Sequence, residues 1–188
     1  MTNKALIAMS GGVDSSVAAF LTKDMGYDAT GITLKLFDNE DIGEKREKTC
    51  CSLDDIDDAR RVCLKLGIPY YVYNFKDSFK ENVIDRFIKA YENGTTPNPC
   101  IDCNRFIKFE KLIRRAEELD FDCVVTGHYS TIEYDKGADR YLLKKSVDST
   151  KDQSYVLYCL TQRQLAKTLL PLGTYTKERC VKLQMSLV

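Results

Sequence analysis

The heptapeptide Ser10-Gly-Gly-Val-Asp-Ser-Ser16 constrains this chain more than any other stretch. It is preceded by the apolar run Lys4–Met9, which reads as a buried strand. It is followed by Val17, Ala18, Phe20, Leu21 and Met25 at helical spacing, with Gly26 as the stop. A strand that turns through two glycines into a helix exposes backbone N–H groups to whatever sits before the helix. The positive end of the helix adds to that field. Ser10, Ser15 and Ser16 can add hydroxyl donors, so the pattern suits a phosphate. No Gly-Lys-Ser/Thr follows, and the glycines do not have the dinucleotide Gly-x-Gly-x-x-Gly spacing. Asp14 would repel a phosphate unless a cation such as Mg²⁺ stood between them. An ordinary Gly-rich turn with a Ser/Asp cap is the plainer alternative.

Further along, strand-like runs alternate with helical ones. Residues 29–37 and 70–75 read as strands, and 52–66 and 77–91 as helices, with 38–51 a charged loop between them. The turn-rich stretch 93–99 leads to Cys100 and Cys103, and Asn104 is a candidate cap for a helix over 105–119. A strand at 123–126 ends in Gly127-His128; a hairpin around Lys136-Gly137 and two short helices within 152–168 follow. The expected class is α/β, a parallel twisted sheet with helices on both faces, which binds ligands at the carboxyl ends of its strands. With 188 residues, 44% hydrophobic and 30% charged, the chain can bury a core and is not of disordered type. Basic and acidic residues number 28 each, so any RNA contact must be a local patch. No apolar run is long enough to span a membrane, and the first residues lack a signal-peptide pattern, so a cytoplasmic, membrane-free setting is expected.

The Ser-Gly-Gly-x-Asp-Ser core is the signature of the PP-loop ATP pyrophosphatases, and the chain resembles that superfamily. Three further segments, Asn98-Pro-Cys-Ile-Asp-Cys-Asn-Arg-Phe-Ile-Lys-Phe109, Val125-Thr-Gly-His-Tyr129 and Asp148-Ser-Thr-Lys-Asp-Gln-Ser-Tyr155, narrow it to the tRNA-specific 2-thiouridylase family. The similarity runs in order through residues 4–178. It implies a Rossmann-like PP-loop fold and a sulfurtransferase that uses ATP and Mg²⁺ to adenylate the uracil 2-carbonyl of a wobble uridine before sulfur replaces the oxygen. It implies that Ala8, Met9, Ser10, Gly11, Gly12, Val13, Asp14, Ser15 and Ser16 hold the nucleotide, with Leu34 against adenine and Gly127 close by. Asn98, Pro99 and Cys100 would meet the target base, and Lys151, Asp152 and Gln153 the tRNA. The implied partners are tRNA and a protein that donates persulfide sulfur.

Cys103 matches the family's nucleophile, and its surroundings suit the role. A thiolate is favoured near a helix N-terminus and cations, here Arg105 and Lys108. Cys100 departs from the common pattern, which has an Asp acting as a base at that place; Asp102 stands two residues later. The Cys-x-x-Cys pair could also take part in an iron–sulfur or zinc site, with Cys50 or Cys51 as a third ligand, but two cysteines alone fall short of the four a structural zinc needs. No resident metal ligand set is assigned. Cys63, Cys123 and Cys159 read as small buried hydrophobes.

His128, the sole histidine, is expected near the nucleotide with no proton-transfer role assigned. Arg105, Lys108, Lys111, Arg114 and Arg115 form a stripe opposite an apolar face of Phe106, Phe109, Ile113 and Ala116. It reads either as a solvated face or as a phosphate contact extended by Lys144, Lys145 and Lys151. The expected division is an ATP-binding catalytic domain over 1–135 and the start of a tRNA-contacting region over 136–188. The family's second essential cysteine and its C-terminal barrel are not found, and Cys180 lacks the required context, so the chain is expected to be an incomplete form ending near residue 178 without a finished element. The alternatives are another PP-loop ATP pyrophosphatase, such as a GMP synthetase or argininosuccinate synthase, and a non-catalytic nucleotide- or metal-binding remnant.

Overall fold

The computed structural model describes residues 2–37 and 53–187. The expected 38–51 loop, with Cys50 and Cys51, lies outside the described residues.

The strands are β1 (Lys4–Ala8), β2 (Asp28–Lys35), β3 (Tyr70–Asn74), β4 (Cys123–Val125), β5 (Ser130–Asp135), β6 (Arg140–Lys145) and β7 (Thr168–Leu169). The helices are α1 (Val13–Asp24), α2 (Leu53–Leu66), α3 (76–92), α4 (99–118), α5 (Gln162–Ala166) and α6 (Lys177–Leu187). Five strands make a parallel sheet in the order β3-β2-β1-β4-β7, and β5 and β6 form a separate antiparallel hairpin. The α/β class read from the sequence is the one observed.

Alternation along the strands separates two cores. Ala5 and Ile7 of β1 and Val125 of β4 face α1, α2 and α6, together with Val17, Ala18, Cys63 and Cys180. Leu6, Ile32 and Val124 face α3 and α4, together with Val83, Ile107, Phe109 and Leu112. Sheet order reverses between β1 and β4: β2 and β3 are laid down on one side of β1, β4 and β7 on the other. That reversal opens a crevice beyond the carboxyl ends of β1 and β4.

Three elements differ from expectation. The helix carrying the two cysteines starts at Asn98-Pro99, not at Asn104. The Asn98 side chain accepts from the Cys100 N–H at 3.0 Å, and Pro99 occupies the first turn, where its missing N–H costs nothing. Asn104 is instead a buried helical residue whose Nδ2 donates to the Val156 carbonyl. The helix widens to π-type winding over Cys103–Lys111. Residues 177–187 form a helix on α1 where no element was assigned: the Thr176 hydroxyl accepts from the Arg179 N–H, and Cys180 is fully buried. Finally, β7 adds a two-residue strand beside β4 where only short helices were foreseen, so part of the 136–188 segment completes the main sheet.

Candidate active site at the sheet reversal

Helix α1 begins at Gly12 without a side-chain cap, so the first N–H groups of its opening turn are left for an external acceptor. Gly11 adopts φ +74°, a conformation that favours glycine, and a Cβ there would stand 2.5 Å from the Asp55 carbonyl oxygen. The turn is braced from within. Ser15 Oγ donates to the Gly12 carbonyl at 3.0 Å and accepts from the Ser10 N–H at 3.1 Å. The buried Ser16 hydroxyl likewise donates to the Gly12 carbonyl, at 2.9 Å.

Gly127, after β4, presses against this turn. A Cβ on it would lie 2.9 Å from the Ser15 N and the Asp14 carbonyl carbon. Asp14 Oδ1 accepts two hydrogen bonds, from the Tyr129 hydroxyl and from Lys177 Nζ, each at 2.7 Å. Burial, then hydrogen bonding with Cys180 and Asp14, pushes the Tyr129 phenol well above its usual range and keeps it a donor.

A cleft of about 450 Å³ opens here. One wall is the end of β1 and the phosphate turn, with Ala8, Met9, Ser10, Asp14 and Ser15. Leu34, Leu36 and Phe37 make an apolar side. The start of α4 brings Pro99, Cys100, Cys103, Asn104 and Lys108; Gly127, His128, Gln153 and Tyr155 close the remainder. The cleft thus joins most of the residues singled out in the sequence. Gly11, Gly12, Val13 and Ser16 shape the turn from behind, and Asn98 acts as the α4 cap, outside the cleft lining. Lys151 is exposed beyond it, and Asp152 holds its own loop by accepting from the Ser146 N–H and the Ser154 hydroxyl.

Cys100 is exposed and Cys103 half-buried, both on the first turns of α4. Asp102 Oδ2 pairs with Arg86 Nε at 3.2 Å, and Asp102 is not among the residues lining the cleft. His128 is buried, with Nδ1 2.8 Å from the Thr126 hydroxyl; burial and then the Lys108 charge hold its pKa well below the ordinary value. The basic stripe on α4 is not a uniform cationic face. Arg114 and Arg115 both pair with Glu118, Lys111 bonds Ser78, and Lys108 turns into the cleft. Lys144 on β6 pairs with Glu133.

A triphosphate with its cation suits the uncapped helix start, the close glycine contact and the Asp14 carboxylate. An iron–sulfur or zinc site is not assembled among the described residues, where no three His, Cys, Asp or Glu side chains converge as a metal set. Cys63 and Cys123 are pushed up to about 11 by burial, as unreactive thiols are. Cys123 and Cys159 are only partly buried, less so than expected.

Sequence reasoning gave no role to Tyr129 or Lys177 and did not place Asn104 in the cleft. Tyr129 lay in a quoted motif, but its contact with Asp14 spans 115 residues and that of Lys177 spans 163, separations that no local pattern reveals. Asn104 carries a further signature visible only in three dimensions: its buried Oδ1 finds no hydrogen-bond partner.

A parallel sheet with a glycine phosphate turn at its reversal point and a cysteine-bearing helix across the cleft defines a nucleotide-binding α/β domain of PP-loop type. The chain belongs to the tRNA methyl transferase HUP domain family, whose model matches residues 3–186. It is 56% identical over 179 residues to the tRNA-specific 2-thiouridylase MnmA of Clostridioides difficile strain 630, covering 95% of this chain and 49% of that protein. It is 55% identical over 186 residues to the tRNA-specific 2-thiouridylase MnmA 2 of Caldanaerobacter subterraneus subsp. tengcongensis, covering 98% and 51%. The chain therefore spans about half the length of these relatives. Among solved structures it is similar in fold to a predicted tRNA methyltransferase subunit from Methanocaldococcus jannaschii (TM-score 0.54, 14% identity, 98% of this chain and 75% of that one). A glutamine-dependent NAD+ synthetase from Acinetobacter baumannii in complex with ADP shares the fold likewise (TM-score 0.57, 13% identity, 98% and 28%). No helix among the described residues is long and apolar enough to cross a membrane.

Proposed function

We propose that this chain carries the nucleotide-binding and adenylating half of a tRNA-uridine 2-sulfurtransferase. The observation that supports it best is the shared cleft: the phosphate turn and Cys103 line the same cavity. In this reading the N–H groups at the start of α1, with Ser10 and Ser15, hold the phosphates of ATP. Asp14 faces the Mg²⁺ that accompanies them. Leu34 and its apolar neighbours cover the adenine, and Gly127 lets the chain pass close to the nucleotide.

The target uridine enters from the α4 side against Asn98, Pro99 and Cys100, with Lys151, Asp152 and Gln153 toward the tRNA. The uracil 2-carbonyl oxygen attacks the α-phosphorus and pyrophosphate leaves. The outer sulfur of a persulfide on Cys103 then attacks C2, and AMP departs with the original oxygen; a second thiol attacks the Cys103 sulfur, breaking the S–S bond to free the 2-thiocarbonyl and leaving a disulfide for external thiol to reduce. The sulfur arrives as a persulfide from a donor protein. Residues 1–135 carry the ATP chemistry and 136–188 begin the tRNA-facing region, in a cytoplasmic enzyme. Neutral His128 borders the cleft, with no proton-transfer role assigned to it.

Labelled ATP incubated with Mg²⁺ and an unmodified tRNA transcript tests the reading. AMP and pyrophosphate formed only with tRNA support an adenylating RNA enzyme. AMP formed equally without tRNA contradicts it and favours a different PP-loop ATP pyrophosphatase.

A further inference from the structure

Two residues reach from the phosphate turn to the loop 148–153, and they do so side by side. Lys177 Nζ donates to Asp14 Oδ1 at 2.7 Å, while the backbone N–H of the same Lys177 donates to Asp148 Oδ2 at 2.9 Å. Asp148 in turn shapes its loop: its Oδ1 accepts from the Thr150 N–H at 3.1 Å and from the Thr150 hydroxyl at 2.7 Å. Tyr129 repeats the arrangement. Its hydroxyl donates to Asp14 Oδ1, its N–H donates to Gln153 Oε1 at 2.9 Å, and its carbonyl accepts from the Gln153 N–H at 2.8 Å.

We propose that Lys177 and Tyr129 are positioning residues that tie the Asp14 carboxylate to the 148–153 loop, so that a nucleotide bound at the phosphate turn orders the loop that faces RNA. The inference rests on the readings given above of the cleft as a nucleotide site and of the 148–153 loop as facing RNA. The physical argument is one of shared groups. Lys177 is one-third exposed and Asp14 slightly more, so the pair is neither sealed in the core nor a freely solvated surface contact. A cation and phosphates arriving beside Asp14 change the field on the Lys177 ammonium and the Tyr129 hydroxyl. The backbone groups of the same two residues hold Asp148 and Gln153, so a changed pull on their side chains is passed to the loop. Any such coupling is reciprocal, so RNA held at the loop would tighten the nucleotide by the same factor. Neither residue touches the reacting atoms in this account.

Hydrogen exchange on this 188-residue chain, with and without saturating Mg²⁺ and a non-hydrolysable ATP analogue, reads the coupling directly. The analogue is expected to slow exchange at Thr150 and Lys151 by about fivefold or more, the lower end of ordinary coupling between sites. Lys177→Met should lose that response while the first turn of α1 is still protected by the analogue, and Lys177→Arg should restore it. Tyr129→Phe breaks the parallel tie to Asp14 while leaving the Thr150 acceptor in place and should also lose the response, which keeps the test decisive if Lys177→Met does not fold. Protection of α1 with no change at Thr150 and Lys151 in the unaltered chain overturns the proposal, as does a response that survives in both variants. No protection at α1 itself contradicts the nucleotide reading and removes the inference with it.

Discussion

Gly127 and Ser15 meet in close backbone contact at the cleft: a Cβ added to Gly127 would stand 2.9 Å from the Ser15 backbone nitrogen. The two turns that follow β1 and β4 therefore meet backbone to backbone. Gly127→Ala must push them apart, because the opposing atoms are main chain and cannot rotate away. Affinity for Mg-ATP should fall at least about tenfold, equivalent to about 1.4 kcal/mol. The circular dichroism spectrum should stay unchanged. Isothermal titration of the variant checks this, and wild-type affinity would show that the contact does not shape the site.

His128 gives the chain a defined acid sensitivity. Its folded pKa is lowered by burial and by Lys108, so the unfolded chain takes up a proton that the folded chain refuses. The sign follows: the folded state loses stability as pH falls below about 6.5, by up to about 1.4 kcal/mol per pH unit from this group. Urea denaturation at pH 7.0, 6.0 and 5.5 measures the slope, and His128→Gln should flatten its share of it. An identical slope in the variant would show that His128 is not the sensor.

Thiol reactivity should rank by exposure. Cys100 is exposed, Cys103 half-buried, and Cys63 and Cys180 are fully buried with thiols pushed up by burial. Brief iodoacetamide treatment with peptide mapping should label Cys100 ahead of the other cysteines among the described residues and leave Cys63 and Cys180 unmodified in the folded chain. Early labelling of Cys180 would contradict the packing of α6 on α1.

Asn98 caps the helix that presents both cysteines. Asn98→Ala removes the acceptor for the Cys100 N–H and should cost about 1 kcal/mol of stability. Chemical denaturation checks the loss. Asn98→Asp should recover most of it, since a carboxylate accepts the same bond and favours a helix start. No loss in Asn98→Ala would return the cap to another residue.

What the sequence made legible is local. The apolar run before Ser10 and the helical spacing after it specify strand, turn and helix within 22 residues, and β1 and α1 are found there. Leu34 and Gly127 reach the cleft because both follow from strand ends in a parallel sheet. The helix start at Asn98 was missed because Asn104 presents the same side-chain chemistry, and only the Pro after Asn98 breaks the tie. The basic stripe looked uniform because the counted segment stopped short of Glu118, one turn on, which pairs with Arg114 and Arg115. Two-residue β7 has no pattern long enough to read. Lys177 reaches Asp14 only because α6 packs on α1, a tertiary fact carried by Cys180 and its neighbours and by no local motif.

The most direct test of the central claim, that the cleft at the sheet reversal is a Mg-nucleotide site, is equilibrium dialysis of labelled ATP with Mg²⁺ against the unaltered chain and Asp14→Ala. The account predicts one nucleotide per chain, lost in the variant while its fold persists. Saturable binding of equal affinity in Asp14→Ala would contradict it.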